Sequence, residues 1–325
     1  MSVIDCDYIH ADNGLGKIAV YSADPDRNII KFIETNKQNL QENIHQYGGV
    51  LLRNFNIRAV SEFNHVAQTI SPNLLDYVNR STPRTKLGGK IYTATQYPAH
   101  KHIVLHNENA YTQSWPEKIM FFCVIVPESG GETPIADSRQ VFNKIDKKII
   151  KKFNEKKVMY KRNYTTGIDL SWQDVFQTTQ KNEVEDYCNK NNIQYVWHDP
   201  GSNGVELTTQ QICQATVKHQ VTQEDVWFNQ AHLFHISSLD ETDRSTLLSV
   251  VTEDNFPRNV FHGDGSEIQV DELHHILDVY QSEKIVFQWK RGDVMILDNV
   301  LMAHGRNPFI GERKIVVAMS GDEAV

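Results

Sequence analysis

The sequence predicts a mainly β protein with helices, in which a double-stranded β-helix (jelly-roll) core carries helical insertions. Two observations lead to this fold class. Many short strand-like runs are spread along the chain, and the amphipathic helices are clustered at the front and in insertions. The 325 residues contain no repeat, low-complexity tract or linker, so we expect one domain over residues 1–325.

Composition and charge restrict the class of protein. Hydrophobic residues make up 40% and charged residues 23% of the chain, which are values of globular proteins. The net charge of −8 disfavours a nucleic-acid-binding surface, since phosphate neutralisation needs a basic face. The four cysteines are far apart, which is typical of reduced thiols. With no apolar run long enough to cross a bilayer and no secretory signal, we expect a cytoplasmic protein that binds neither nucleic acid nor membrane.

Helical hydrophobic spacing recurs in several places. The predicted helices cover residues 27–47, 61–70, 139–156 and 171–191, with one or two more within 240–280. Ser61 and Ser138 are the expected N-caps of the second and third of these helices, because a serine oxygen accepts a free N–H of the first turn. The lysines of the third helix are interpreted as its solvated face.

Strand-like runs occupy most of the remaining chain. The predicted strands cover residues 49–55, the segment with His106 and Glu108, 118–127, 193–198, 204–209, 212–219, 226–235, 292–299 and 313–321. A loop bearing His304 is expected between the last two. Residues 79–103 are rich in proline, glycine and charge, which predicts a long binding loop beside the strand with His106.

The segment IVLHNENAYTQSWP (103–116) contains the most informative pattern, a histidine and a carboxylate two positions apart. On an extended strand, His106 and Glu108 would project to the same side. With a second histidine they would form a 2-His-1-carboxylate triad, which leaves coordination positions open on a non-haem Fe(II). His304, in HGRNPF, is the candidate for that histidine. An H-x-E pair occurs by chance in many chains, so the prediction depends on the surrounding motifs.

Two further residues fit an anionic co-substrate. Arg313 follows His304 by nine residues on the expected last strand, and an arginine fork is suited to a carboxylate. Thr133, after a Gly-Gly-Glu turn, supplies a hydroxyl, although it could equally cap the turn. Arg306 is interpreted as a support of its own loop. The clusters His100–His102 and His274–His275 have no matching carboxylate and arginine, so we expect them to be ordinary surface or packing residues.

These motifs together resemble the Fe(II)/2-oxoglutarate-dependent dioxygenases of the TauD/TfdA (clavaminate synthase-like) family. The resemblance covers about residues 48–320. It is carried by HNE at 106–108, GGETPIADSR at 130–139, WFNQAHLFH at 227–235 and the segment from Asp298 to Arg313. STPRTKLGG, FNQAHLFH and HGRNPF look most like the syringomycin-type aminoacyl hydroxylases.

The resemblance implies roles for individual residues. His106, Glu108 and His304 would be the iron ligands, and Thr133 and Arg313 would contact 2-oxoglutarate, with O2 as the other co-substrate. A substrate C–H bond would be hydroxylated while 2-oxoglutarate is converted to succinate and carbon dioxide. The taurine branch of the family has aspartate at the position of Glu108, so the resemblance implies a substrate other than a sulfonate. Family halogenases have a small residue at this position, so Glu108 disfavours halogenation.

The expected substrate is an amino acid, free or tethered to a peptidyl carrier protein, in antibiotic or other specialised metabolism. Its candidate contacts are Arg80, Arg84, Asn109 and Asn229, each weighed against plain surface charge or packing. Two alternatives remain open: oxidation of a free small acid or sulfonate in catabolism, and a non-catalytic jelly-roll binding protein. Neither the substrate, the carbon attacked nor the oligomeric state follows from the sequence.

Overall fold

The computed structural model describes residues 6–14, 16–24, 26–76, 84–94, 97–199 and 204–321. These residues form a mixed α/β structure in which many strands are arranged in several sheets. Within the described ranges, no helix is both long and apolar enough to cross a lipid bilayer.

The strands, in chain order, are β1 (Cys6–His10), β2 (Lys17–Ser22), β3 (Gly49–Arg53), β4 (Lys86–Gly88), β5 (Ile91–Thr93), β6 (Ile103–His106), β7 (Lys118–Ile125), β8 (Ser129–Gly130), β9 (Ile135–Asp137), β10 (Val158–Thr165), β11 (Gln194–Trp197), β12 (Val205–Cys213), β13 (Thr216–Lys218), β14 (Asp225–Trp227), β15 (Arg258–His262), β16 (Val294–Asp298), β17 (Met302–Arg306), β18 (Phe309–Ile310) and β19 (Lys314–Ser320).

The α-helices are α1 (Ile29–Thr35), α2 (Lys37–Tyr47), α3 (Val60–Ile70), α4 (Ser138–Lys144), α5 (Lys147–Lys156), α6 (Trp172–Phe176), α7 (Lys181–Lys190), α8 (Ala231–Phe234), α9 (Glu241–Leu248) and α10 (Val270–Glu283).

The largest sheet has eight strands in the order β1-β2-β3-β16-β7-β19-β5-β4. Because side chains alternate between the faces of a strand, its two sides enter different clusters of the core. On β3, Val50 and Leu52 pack in the cluster that includes residues of α1–α3, whereas Leu51 packs in the cluster on the other side. The sheet is therefore buried on both faces, with the front helices as one cover.

The second cover is a three-stranded sheet in the order β6-β17-β9. Ile135 and Met302 from this sheet pack with Leu51 and Met295 of the large sheet. Its Leu105 lies in another cluster, shared with residues of α4, α5 and α10. The three-stranded sheet is thus sandwiched between the large sheet and the inserted helices, which places its strands in the middle of the described structure.

The inserted region between α5 and α10 has a sheet of its own, with four strands in the order β11-β12-β10-β15. The helices α6 and α7 cover part of it through a separate cluster that contains Trp172, Val184 and Leu207. This region contributes one wall of the cavity described below.

Three predicted helices are each divided into two. The helix 27–47 breaks at Asn36, whose side-chain amide donates to the carbonyl of Phe32 (2.8 Å). The helix 139–156 breaks at Ile145, and Asp146 then caps α5 by accepting the N–H of Lys148 (2.7 Å). Residues 171–191 become α6 and α7. Short polar side chains that form hydrogen bonds with the backbone compete with the hydrogen bonds that would continue a helix. A prediction from hydrophobic spacing does not include this effect.

Both predicted serine N-caps are wrong. The first turn of α3 is preceded by N–H groups of Arg58 (2.7 Å) and Ala59 (2.9 Å) that donate to the carboxylate of Glu62, so Ser61 lies inside the helix. Asp137 accepts the N–H of Arg139 (2.8 Å), which makes Ser138 the first residue of α4. At α4 the carboxylate of Asp137 is the stronger acceptor, whereas at α3 no side chain of the N-cap residue, Ala59, caps the helix.

Several predicted strands also differ. β6 ends at His106, so Glu108 lies in the following turn, and His304 lies on β17 instead of in a loop. The predicted strand 226–235 is strand only up to Trp227. It continues as α8 because the side-chain oxygen of Asn229 accepts the N–H of Ala231 (3.0 Å) and starts a helical turn. Residues 205–213 form one continuous strand, and β15 lies within the range predicted as helix.

Candidate metal centre and adjoining cavities

The two predicted histidine ligands are cross-strand partners. His106 ends β6 and pairs directly with His304 of the antiparallel strand β17. Residues directly opposite each other on antiparallel strands have side chains on the same face, and these two imidazole rings have centroids 4.7 Å apart. The backbones of β6 and β17 can lie this close together because residue 305 is glycine. A Cβ at Gly305 would lie 2.6 Å from the carbonyl oxygen of Ile103.

A tight turn after β6 brings Glu108 to the same place. Asn109 has a left-handed backbone (φ 57°), which asparagine tolerates better than most residues. The side chain of Asn299 clamps the turn: its oxygen accepts the N–H of Glu108 (2.7 Å), and its amide donates to the carbonyls of Glu108 (3.0 Å) and Pro116 (2.9 Å). The potential ligand atoms of His106, Glu108 and His304 all lie within 4.8 Å of one another.

Buried amides fix the same turn from the other side. Asn107, which is fully buried, donates to the carbonyl of Asn299 (2.7 Å), and Gln230 donates to the carbonyl of Asn107 (2.6 Å). Asn107 thus serves packing and hydrogen bonding behind the ligands. His232 bonds to the carbonyl of Leu105 (2.8 Å) and so supports β6 one residue before its end.

The protonation states suit metal binding. Burial, with the neighbouring His304, lowers the pKa of His106 to about 3, so its imidazole is neutral at neutral pH. Burial alone would raise the pKa of the Glu108 carboxyl, but the guanidinium of Arg84 (2.8 Å) and the adjacent His304 lower it to well below its usual range. A neutral imidazole and an ionised carboxylate are the forms that bind metal ions.

The orientation of the imidazoles supports the same conclusion. Nδ1 of His106 lies 2.8 Å from the carbonyl oxygen of Val104, which places the proton on Nδ1 and leaves Nε2 with a free electron pair. Nε2 of His304 lies 3.7 Å from the carboxylate of Glu108, so it faces the same point. Two imidazoles and one carboxylate are the donor set of a non-haem Fe(II) facial triad, and these residues therefore fit iron.

A narrow cavity beside the histidines contains both residues predicted to contact 2-oxoglutarate. Arg313 donates to the hydroxyl of Thr133 (3.2 Å), to which the indole of Trp289 also donates (3.1 Å). No carboxylate of the described residues lies within ion-pair distance of Arg313, and burial lowers its pKa to about 10. A half-buried cation without an acidic partner, next to a hydroxyl, fits an anionic group.

The volume of this cavity is about 30 Å³, which is room for roughly one water molecule. Binding of a dicarboxylate would therefore need the surrounding side chains to separate. Gly131 keeps the space open on one side, because it has a φ of 72° and a Cβ there would lie 3.0 Å from the side chain of Arg313. The Gly-Gly-Glu turn is thus required for the position of the arginine.

A second, larger cavity of about 400 Å³ adjoins the first at Arg84, Ile103 and His106. This volume is within the usual range for small-molecule sites. Glu108 and Gln230 contribute to its wall near the histidines. The rest of the lining is supplied mainly by the inserted region and by α8 and α9, including Ile168, Asp169, Leu233, Phe234, Ile236, Leu239, Leu247, Phe256 and Arg258.

The four predicted substrate contacts have different outcomes. Arg80 lies outside the described residues. Arg84 lines both cavities, with its guanidinium paired to Glu108. Asn109 shapes the turn and Asn229 is fully buried, with its amide donating to the carbonyl of Ala215 (2.8 Å). Neither asparagine is among the residues that line the two cavities.

Of the other polar residues considered from the sequence, Arg306 borders the narrow cavity and His102 borders the larger one. Arg306 donates to three backbone carbonyls, those of Tyr97, Pro98 and Lys101, as expected for support of a loop. His100 and His102 are exposed. His274 is exposed, and His275 accepts the backbone N–H of Asp146 (3.1 Å).

Sequence reasoning missed several residues of the site. Asn299 lies inside the motif that ends at Arg313, and its place directly after the mainly apolar run Val294–Asp298 is the signal that the sequence offers. Trp289 and the ion pair of Asp169 with Arg258 belong to no motif that carries the chemistry. They are separated in sequence from the ligands, and nothing local indicates that they face a cavity.

The family of this protein follows from its similarity to known proteins. Residues 22–319 match the family model described as taurine catabolism dioxygenase TauD, TfdA family. The chain belongs to this family, and it is an Fe(II)/2-oxoglutarate-dependent dioxygenase with a candidate His-Glu-His metal site. This confirms the enzyme class and the cofactors expected from the sequence.

Individual relatives agree with this assignment. The chain is 41% identical over 280 residues to the dapdiamide synthesis protein DdaC of Enterobacter agglomerans, which covers 86% of this chain and 84% of the relative. It is 28% identical over 298 residues to a clavaminate synthase-like protein of Arabidopsis thaliana, covering 88% and 86%.

Solved structures share the fold at low sequence identity. PvcB, an Fe, α-ketoglutarate-dependent oxygenase from an isonitrile synthetic pathway, superposes with a TM-score of 0.56 at 11% identity, covering 98% of this chain and 91% of that one. A taurine dioxygenase from Burkholderia xenovorans has a TM-score of 0.53 at 12% identity, covering 99% and 90%.

Proposed function

We propose that this dioxygenase oxidises a C–H bond of a small amino-acid-like substrate in antibiotic or other specialised metabolism. The observation that carries the proposal is the position of the His106–Glu108–His304 cluster, which borders both the narrow cavity with Arg313 and the cavity of about 400 Å³. Similarity to a dapdiamide synthesis protein supports a biosynthetic role. Action in the cytoplasm and organisation as one domain remain predictions.

The proposed roles follow the chemistry of the side chains. His106, Glu108 and His304 hold Fe(II). Arg313 pairs with the distal carboxylate of 2-oxoglutarate, and the hydroxyl of Thr133 contacts a carboxylate of the same molecule. When bound, iron and 2-oxoglutarate supply the oxidation of a substrate C–H bond by dioxygen. The eight-stranded and three-stranded sheets are proposed as the two layers of a jelly roll, with these side chains on strands or within two residues of a strand end.

The chain contributes binding, orientation and exclusion of water. Arg84 holds the carboxylate of Glu108 in place through a buried ion pair (2.8 Å), so that this carboxylate stays oriented toward the metal position. Asn299 fixes the backbone of the same residue. The apolar side chains of the larger cavity exclude water around the reacting bond and position it near the metal.

A substrate screen tests the proposal. Purified protein with Fe(II), 2-oxoglutarate and air is incubated with the standard amino acids, with aminoacyl carrier proteins and with taurine, and succinate release and product mass are measured. Release of succinate with an oxidised amino acid, free or carrier-bound, is expected. Turnover with taurine alone would instead support the catabolic alternative, and no succinate with any of these compounds would contradict the proposal.

A further inference from the structure

The larger cavity contains a second charged pair besides Arg84 and Glu108. Nε and Nη2 of Arg258 donate to the two carboxylate oxygens of Asp169 at 2.7 and 2.9 Å. Asp169 follows β10, and Arg258 opens β15, so both belong to the inserted region. Both residues line the cavity, and their side chains are 27% and 26% exposed, which shows that the pair is open to the cavity or its entrance.

The pair has binding capacity left on both partners. Nη1 of Arg258 donates to no residue in the described part of the chain. The carboxylate of Asp169 also accepts the backbone N–H of Leu170, and a carboxylate that accepts three hydrogen bonds can accept one more. The pair thus presents a cation and an anion side by side. A ligand with a single charge would be attracted by one member of the pair and repelled by the other. A zwitterionic ligand would be attracted by both members.

The surroundings of the pair are apolar. Phe234 lies 5.9 Å from the guanidinium of Arg258, and Leu233, Ile236, Leu239 and Leu247 line the same cavity. His106 and Glu108 border this cavity as well. A molecule with a charged head at the ion pair and an apolar body would therefore lie against these side chains and extend toward the metal ligands.

We propose that Asp169 and Arg258 form a subsite for the head group of a free α-amino acid, with Asp169 binding the ammonium group and Arg258 the carboxylate. The inference rests on the proposed function and narrows its substrate class. An aminoacyl thioester on a carrier protein has no free carboxylate, so it would use Asp169 alone. The side chain of the amino acid lies along the apolar wall and presents the C–H bond that is oxidised.

The test uses three forms of one ligand. The standard amino acid with the strongest binding to the anaerobic Fe(II) and 2-oxoglutarate-loaded enzyme is identified by calorimetry. It is then compared with its methyl ester, which lacks the carboxylate charge, and its N-acetyl derivative, which lacks the ammonium charge. Both derivatives are expected to bind more weakly than the parent by roughly tenfold or more, because each loses a charge-assisted hydrogen bond.

Two variants that each remove one charge separate the two contacts. Arg258→Gln is expected to weaken binding of the free amino acid by about tenfold or more without weakening that of the methyl ester. Asp169→Asn is expected to weaken binding of both of these ligands without weakening that of the N-acetyl derivative. Arg244→Gln is the matched control, since its pair with Glu253 (3.7 Å) is exposed, and it should change none of these affinities.

Ratios within each variant distinguish recognition from a structural role. If a variant lowers the affinity for all three ligands by the same factor, the ion pair merely supports the cavity, and the inference is overturned. It is also overturned if no amino acid binds while aminoacyl carrier proteins release succinate, an outcome that leaves the proposed function intact. Unchanged affinity for 2-oxoglutarate in each variant confirms that the protein is folded.

Discussion

The metal end and the far end of the larger cavity are built in different ways. His106 and His304 are mounted on paired strands of a buried sheet, and Glu108 is held by buried amides next to them. The far end consists of the turn with Asp169, the short helices α8 and α9, and the start of β15. Strand-mounted side chains are held rigidly, as a metal centre requires.

The difference teaches which part of the enzyme sets the reaction and which part sets the substrate. In the proposed function, the metal ligands and Arg313 define the oxidation, and all of them belong to the motifs that carry the resemblance to the family. α9 has no buried residue, and its Leu247 nevertheless lines the cavity. Elements with so few core contacts tolerate change at a small cost in stability, so they are suited to determining specificity. Four variants test this comparison.

The largest effect is expected for Glu108→Ala. It removes a metal ligand and also leaves the buried guanidinium of Arg84 without this carboxylate, so the free energy of unfolding of the metal-free protein should fall by about 3–5 kcal/mol. Urea denaturation measures this change. In the double variant Glu108→Ala/Arg84→Met most of the stability should return, while iron binding stays lost. An unchanged stability of the single variant would show that the pair is not coupled.

Arg313→Gln should act on the co-substrate and not on the fold. Arg313 has no acidic partner among the described residues. Removal of its guanidinium should therefore leave none of their carboxylates without an ion-pair partner. The apparent KM for 2-oxoglutarate should rise by roughly tenfold to hundredfold. Steady-state succinate release measures it, with the exposed Arg291→Gln as control. An unaltered KM would remove Arg313 from the co-substrate site.

Asn299→Ala tests the clamp on the turn of Glu108. Three hydrogen bonds to that turn and to Pro116 are lost, so iron affinity should fall by about 10–100-fold, as for other residues that orient metal ligands. Asn163 is a matched control, because it is also buried and donates to two carbonyls, but at a distance in the inserted region. Asn163→Ala should lose stability without losing iron affinity; equal losses of iron affinity would contradict the clamp.

Leu247→Ala is the smallest change and tests the far end. Its removal from the cavity wall should raise the KM for the organic substrate by less than about tenfold. The free energy of unfolding should change by no more than about 1 kcal/mol, because α9 buries little surface. Leu248→Ala, the next residue and 45% exposed, should change neither quantity. A large stability loss in Leu247→Ala would show that α9 belongs to the rigid part.

The same contrast explains how much the sequence could predict. The sequence predicts the cluster of His106, Glu108 and His304, because an H-x-E pair and a distant motif histidine are a known ligand set for iron. It places Thr133 and Arg313 at the same co-substrate, but it does not predict the hydrogen bond between them. The prediction that Glu108 lies on the strand itself was wrong: the turn at Asn109 bends the chain, and only the three-dimensional clamp by Asn299 returns the carboxylate to the histidines.

The far end of the cavity could not be predicted. Asp169 and Arg258 are 89 positions apart, and each sits beside ordinary turn or strand residues. Their meeting depends on the pairing of β10 with β15, which hydrophobic alternation alone does not specify. Proximity to motifs makes Asn109 and Asn229 candidates for substrate binding, yet neither lines a cavity. Asn109 has the left-handed backbone of the turn, and the side chain of Asn229 bonds to the backbone around it.

Anaerobic titration with Fe(II) and 2-oxoglutarate tests the central claim most directly. The wild-type protein should develop a weak visible charge-transfer band, which His304→Ala should lack because one of three ligands is gone. His275→Ala, at a position where the imidazole accepts the backbone N–H of Asp146, should keep the band. A His304→Ala protein with the full band and wild-type iron affinity would contradict the assignment of the metal centre.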